Sequence, residues 1–233
     1  MTRRPALLRV ARFALLLLPF LGLKMLPAED AKPFLHPLFT DNMVLQRDLA
    51  DPVWGWATPG QKVTVSVNGA SALATAGPDG KWLARLEPMA AGGPYTLTVS
   101  GPQTVTLENV LVGDVWVCSG QSNMQFGLGE GLDGKAEIAA ADHPNIRLLM
   151  VMGVVASSPR ETFPVTANAG HWQVCSPDAA RAFSAVGYFF GRDLYANQHV
   201  PIGLIESNWG GTVAEAWTSA AGLEAFPEFG PAI

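Results

Sequence analysis

From residue 30 to about residue 110, apolar and polar positions alternate in short runs. Met43-Val44-Leu45-Gln46, Val53-Trp54-Gly55-Trp56, Val63-Thr64-Val65-Ser66-Val67, Trp82-Leu83-Ala84-Arg85-Leu86 and Tyr95-Thr96-Leu97-Thr98-Val99 each read as a half-buried strand. Turn chemistry separates them at Thr58-Pro59-Gly60, Asn68-Gly69, Pro78-Asp79-Gly80 and Gly92-Gly93-Pro94. Strands recurring at roughly ten-residue intervals predict a small β-sandwich-like domain. The pair Trp54 and Trp56 shares one strand face. Such a pair can stack on sugar, but large aromatics on one face more often serve the core, and the core is the expectation here.

Near Leu111 the pattern changes. Leu111-Val112 and Val115-Trp116-Val117-Cys118 make a compact apolar strand that runs into Ser119-Gly120-Gln121-Ser122-Asn123-Met124. Ile146 to Val151 is a second apolar strand. Phe183, Val186, Phe190 and Leu194 then recur at helical spacing between Arg181 and Gln198, and Pro201 to Glu206 gives a third strand. Gly210-Gly211-Thr212 follows, with a short helix expected through Trp217. Strand, helix and strand in alternation predict a parallel α/β sheet that binds ligands at the carboxyl ends of its strands. The expected parse is a β-sandwich-like domain over 29–110 and an α/β domain over 111–233.

The first residues read differently. Arg3, Arg4, Arg9 and Arg12 precede an apolar run from Phe13 to Leu23, and Leu26-Pro27-Ala28 resembles a cleavage site before Glu29. That order predicts a secretory signal peptide over 1–28, because the apolar run falls well short of the roughly 20 residues that span a bilayer. Thr2-Arg3-Arg4 only faintly suggests a twin-arginine signal, and no cysteine at the cut supports a lipid anchor. A secreted or periplasmic location follows, with no stable membrane insertion after cleavage.

Removing the five cations of residues 1–28, which include no acid, takes the formal charge of the 233-residue chain from −5 to −10. So acidic a protein, without a basic cluster, is a poor partner for nucleic acid or an anionic membrane. Hydrophobic residues at 48% and charged residues at 15% are enough for a real core. The two cysteines, Cys118 and Cys175, could pair in an oxidising compartment. Spacing alone does not establish a bridge, and two separate buried thiols is the plainer expectation. No CxxC or His/Cys cluster points to a metal site, and no cofactor is expected.

One serine stands where chemistry is possible. Ser122 follows a buried strand in a Gly-Gln-Ser-Asn turn, which sets a hydroxyl at a strand's carboxyl end with backbone N–H groups aimed at the same point. A nucleophile needs that placement, since fixed donors stabilise a developing oxyanion. A lone serine in such a turn is ordinarily a helix cap, and the residues alone leave both readings open. Gly210-Gly211 likewise allows close backbone approach to a ligand or is an ordinary turn.

Three stretches in order carry a resemblance. Leu111 to Met124, Leu-Val-Gly-Asp-Val-Trp-Val-Cys-Ser-Gly-Gln-Ser-Asn-Met, resembles the nucleophile block of the sialate O-acetylesterase family, a branch of the SGNH hydrolases. Phe39-Thr40-Asp41-Asn42-Met43-Val44-Leu45-Gln46-Arg47 is similar to the family's amino-terminal β region. Gly203-Leu204-Ile205-Glu206-Ser207-Asn208-Trp209-Gly210-Gly211-Thr212 through Glu215-Ala216-Trp217 is similar to its second site block. The likeness runs from about residue 34 to 220. It implies a flavodoxin-like α/β/α hydrolase domain and a carbohydrate O-acetylesterase of the sialate 9-O type, acting on an acetylated sugar or glycan. It makes Ser122 the nucleophile of an acetyl-enzyme. The N–H of Ser122 and that of Gly211, nearest the helix start, become oxyanion donors, with Gly210 as the alternative. Gln121 and Asn123 are expected to hold the turn.

The chain also departs from the family pattern. A Gln-Gly-Glu stretch and an Asp-x-x-His or Asp-x-His block are missing. His36, His143, His171 and His199 all fall where a structural role is the expectation, because a base must reach the serine directly. The expected α/β domain is therefore incomplete and the chain a fragment, poorly soluble or partly molten. Other acetylated glycans such as xylan or pectin are alternative substrates. A non-catalytic carbohydrate-binding or scaffold protein with a vestigial hydrolase half is the competing class.

Overall fold

Strand β3 (Lys62–Val67) shows how the alternation folds. Val63, Val65 and Val67 point inward and are buried, while Thr64 and Ser66 face out. Asn68 and Gly69 follow with φ of 46° and 79°, the left-handed pair that a tight hairpin demands. The chain therefore turns straight back into β4 (Ala70–Thr75), pairing Val67 with Ala70. The computed structural model describes residues 32–156 and 158–231. The signal peptide expected over 1–28 lies outside them.

Around this hairpin the first strands form two sheets. β2 (Pro52–Trp56) and β5 (Lys81–Arg85) make an antiparallel pair with Val53 opposite Ala84. β6 (Gly92–Ser100) pairs β3 antiparallel, Val65 opposite Val99, and continues the order β4-β3-β6 through β7 (Thr104–Gly120) into an eight-stranded sheet. Val53, Trp82 and Ala84 of the small sheet share one core with Val63, Val65, Val99 and Val110 of the large one. The buried Trp82 keeps its indole N–H satisfied by donating to Phe34 O at 2.9 Å. His36 is buried against Trp54 and Trp56, with ring centroids 5.1 and 5.9 Å away. Leu38 N–H donates to its Nδ1, so Nε2 carries the proton and donates to Glu161 O at 3.0 Å. Trp56 is core, and Trp54 is half-buried in the same aromatic group.

β7 is the spine of the molecule. It runs for 17 residues, Thr104–Gly120, and changes partners along its length. Its first half pairs β6 antiparallel, and Leu111 to Gly113 pair β1 (Val44–Gln46) parallel. Asp114 to Gly120 then pair β10 (Ile202–Asn208) parallel. The change of pattern expected between residues 110 and 111 is thus a change of neighbours within one strand. Arg47 clamps the crossover, donating to Asp114 through Nε at 2.8 Å and Nη2 at 3.1 Å.

β8 (His143–Met150) lies on the other side of β10, also parallel, and the short β9 (Trp172–Cys175) closes that edge antiparallel. Short helices α1 (Ser122–Gln125), α2 (Gly134–Ala139) and α3 (Pro177–Ala180) fill the connections. α4 (Ala185–Gln198) makes the crossover back to β10. α4 differs from its apolar spacing: Phe183, just before it, is buried, but Val186 and Phe190 are 51% and 41% exposed. Its inner face is Ala185, Gly187, Tyr188 and Gly191. A Cβ on Gly187 would stand 2.9 Å from Cys118 Sγ, and one on Gly191 2.6 Å from Leu204. Only glycine lets the helix lie this close to the sheet, so the bulkier side chains turn outward. A last short helix, α5 (Ala220–Leu223), follows β10.

Arg147 joins the two parts of the fold. Its guanidinium is buried and donates to Pro144 O, Asn42 O and Asn109 O at 3.0 Å each, and to Asn109 Oδ1 at 3.2 Å. Cys118 and Cys175 are separate free thiols, both buried, and burial pushes them up to about 11 and about 12. Among the described residues no helix is long and apolar enough to cross a membrane.

Candidate active site

The three parallel strands all end on one side of the sheet, with Gly120 opposite Asn208 and Glu206 opposite Met150. Ser122 begins α1 two residues beyond the end of β7. The hydroxyl does not cap the helix: Gln121 holds the N-cap position and no side chain caps this turn. Ser122 is exposed, and its Oγ donates to Gln121 Oε1 at 2.9 Å. It borders a cleft of about 600 Å³ lined also by Gln125, Phe126, Met150, Gly153, Glu206 and Asn208.

A single helical turn has little stability of its own, so the Ser122 turn must be held from outside. The end of β10 does this. Trp209 N–H donates to Gly120 O at 2.9 Å, Asn208 Nδ2 to Met124 O at 3.2 Å, and Gly210 N–H to Gln125 Oε1 at 2.6 Å. Ser184 Oγ adds a contact to Met124 Sδ at 3.3 Å while capping α4 through Gly187 N–H. On the opposite wall Gly153 lies flat on the Trp209 indole, where a Cβ would come within 2.6 Å of the ring.

Of the residues singled out in the sequence, Ser122 and Gly210 come together. A Cβ on Gly210 would lie 3.6 Å from Ser122 Cα, and 2.5 Å from the Gln125 oxygen that occupies its N–H. Gly211 follows with φ of 80° and open space around its Cα, so this turn requires the left-handed conformation glycine allows. Gln121 does hold the turn, through its side chain and through its carbonyl, which accepts from Gln125 N–H at 3.0 Å. The histidines lie elsewhere. His36 is in the aromatic cluster, and His143 starts β8 with Nε2 3.4 Å from Tyr188 OH. His171 precedes β9, and His199 ends α4 in a left-handed turn. None of the four lines the cleft.

Sequence reasoning passed over Gln125, Glu206 and Asn208. Glu206 is 4% exposed, yet it lines the cleft. Its Oε2 accepts from Ser184 N–H at 2.9 Å and its Oε1 from Asn208 Nδ2 at 2.8 Å. Burial holds its carboxyl above the usual carboxylate range, against the opposing pull of these two bonds. A signal was available: Glu206 is the one charge in the strand Ile202–Asn208 and directly follows the apolar run Ile202 to Ile205. A carboxylate in a buried parallel strand needs partners.

Residues 112–228 match the family model described as carbohydrate esterase, sialic acid-specific acetylesterase. The chain belongs to this family. It is 34% identical over 207 residues to the sialate O-acetylesterase of Homo sapiens, covering 79% of this chain and 38% of that protein. The Mus musculus sialate O-acetylesterase is also 34% identical, over 210 residues, with 80% and 38% covered. Among solved structures, a carbohydrate acetylesterase from Xanthomonas citri superposes with a TM-score of 0.75 at 41% identity. That match covers 80% of this chain and 43% of the other. The chain thus spans about two-fifths of the length of the relatives it matches.

Proposed function

We propose that the chain carries the nucleophile and oxyanion-binding part of a carbohydrate O-acetylesterase of the sialate 9-O-acetylesterase type. In this reading Ser122 Oγ attacks the acetyl carbonyl of an acetylated sugar, the sugar alkoxide leaves with a proton, and water releases acetate from the acetyl-enzyme. The N–H of Ser122 and that of Gly211, with Gly210 as the alternative, would bind the oxyanion. The observation that carries the reading is the exposed hydroxyl of Ser122, which caps no helix, stands at the carboxyl edge of a parallel sheet beside Gly210 and borders an open cleft. Family membership supports the acetyl-ester chemistry.

The proton acceptor is the missing part. With no histidine lining the cleft, the base would come from polypeptide beyond the matched two-fifths, and this chain acts as a fragment. A second reading, a secreted carbohydrate-binding or scaffold protein with a vestigial hydrolase half, is favoured by one contact. Gln125 Oε1 already occupies the N–H of Gly210. Intact mass of the chain and of Ser122→Ala after treatment with p-nitrophenyl acetate separates the two. A triad lacking a member keeps on the order of 10³-fold over water through its oxyanion donors and binding, so turnover alone does not report on the hydroxyl. Slow acetylation that Ser122→Ala abolishes is the expected result. Equal acetylation of both proteins, or of neither, would sink the esterase reading for this chain.

A further inference from the structure

The buried carboxylate beside the cleft has no role in the chemistry just described, and its bonding is specific. Asn208 Nδ2 donates to Glu206 Oε1 at 2.8 Å and to Met124 O at 3.2 Å. Both neighbours are acceptors only, so the amide nitrogen must face them and both its hydrogens are used. Oδ1 is then the group's remaining hydrogen-bonding atom. Among the described residues the side-chain hydrogen bonds of Asn208 run through Nδ2, and Asn208 lines the cleft.

We propose that Glu206 is the positioning residue of this site: it locks the Asn208 carboxamide in one orientation, which ties down the Ser122 turn and offers Oδ1 to the cleft as an acceptor for a sugar hydroxyl. Met124 is two residues after Ser122 within a four-residue helix that no side chain caps. The bond from Asn208 therefore bears directly on where the hydroxyl stands. The carboxylate is required because two donors, Ser184 N–H and Asn208 Nδ2, arrive on its two different oxygens. A glutamine there has one acceptor oxygen, and its NH₂ must face one of those donors. The lock depends on the charge of Glu206 more than on its shape.

The kinetic half of the proposal rests on Ser122 being the nucleophile, and the test separates the two. In the ¹⁵N-labelled full chain, the Asn208 side-chain amide pair is the one absent from Asn208→Ala. It should be protected from exchange in the wild type, and shifted and unprotected in Glu206→Gln. The maximal rate at which a fluorophosphonate modifies Ser122, read by intact mass against Ser122→Ala, should fall about tenfold in Glu206→Gln with little change in the half-saturating concentration. An unchanged Asn208 pair in a folded Glu206→Gln chain overturns the lock, and so does an unchanged modification rate. If Glu206→Gln fails to fold, Asn208→Ala, which keeps the bond from Glu206 to Ser184, should give the same tenfold fall. Undiminished labelling there overturns the proposal. If the wild type is not modified at all, the hydroxyl is idle without its base, and the Asn208 resonances alone decide the lock.

Discussion

The two halves of β7 are made of similar residues and live in different surroundings. In the first half Val110 and Val112 are both 0% exposed, with β6 on one side and β1 beginning on the other. In the second half Trp116 and Val117 are 44% and 64% exposed. There β10 is the one strand partner among the described residues. Asp114 N–H donates to Pro201 O and Gly120 O accepts from Trp209 N–H, so even-numbered residues face β10. Val117 and Ser119 therefore present their backbone groups to the open side, while Val115 N–H finds the Gln46 side chain. Trp116 packs on Phe190, itself exposed, with centroids 5.1 Å apart. The half that presents Ser122 is thus held from one side only. Apolar surface of this kind marks a place where further protein binds or aggregation begins. This supports reading the chain as part of a larger esterase.

The sharpest way to test that contrast is to cut the joint between the halves. Arg147→Met should leave the carbonyls of Asn42 and Asn109 unpaired inside the protein and cost about 3–5 kcal/mol in urea unfolding. A loss under about 1 kcal/mol would mean that the two parts hold together without it. Next comes Asp51, in the connection between β1 and β2. It is 7% exposed, with Oδ1 accepting from Gln46 N–H and Oδ2 without a hydrogen-bond partner among the described residues. Burial pushes its carboxyl from 3.8 up to about 6.

A carboxyl raised on folding favours the protonated folded state. Its cost is absent below about pH 4, grows as pH rises through about 6, and is complete above it. The cost reaches about 2–3 kcal/mol. Asp51→Asn should remove that slope, seen as urea midpoints that no longer fall between pH 4 and 7. A slope equal to the wild type's would show that it arises from groups other than the buried Asp51 carboxyl. The smallest change gives the most direct comparison. Val112→Ala should cost about 2 kcal/mol and Val117→Ala under about 0.5, the same deletion on one strand. Equal costs would mean that the second half is covered in solution, for instance by another copy of the chain.

Much of the architecture was legible in local pattern. Alternation located the strands around Val63 to Val67 and Tyr95 to Val99, and Asn68-Gly69 located a hairpin. The returning strand β4, Ala-Ser-Ala-Leu-Ala-Thr, was missed because small residues carry almost no alternation. β9 was missed because four residues are too few to show a period. The face of α4 was misread because a close helix contact is made by glycines, which hydrophobic spacing does not count. At the site, Ser122 and Gly210 stand out through turn chemistry. Gln125 and Asn208 do not, because their roles are bonds between elements 80 or so residues apart, and the role of Glu206 rests on Ser184 in a different element, 22 residues away.

The sequence by itself determined that a serine would stand at the end of an apolar strand, and that a glycine pair would end a later one. Both follow from short-range rules of period and turn, which act within a few residues. Only the tertiary structure decided that these two ends meet, that an amide and a buried carboxylate brace the serine, and that half of the spine strand is left bare. Those outcomes depend on which strands become neighbours. Neighbours are chosen by burying surface across the whole chain, a sum that no local window contains.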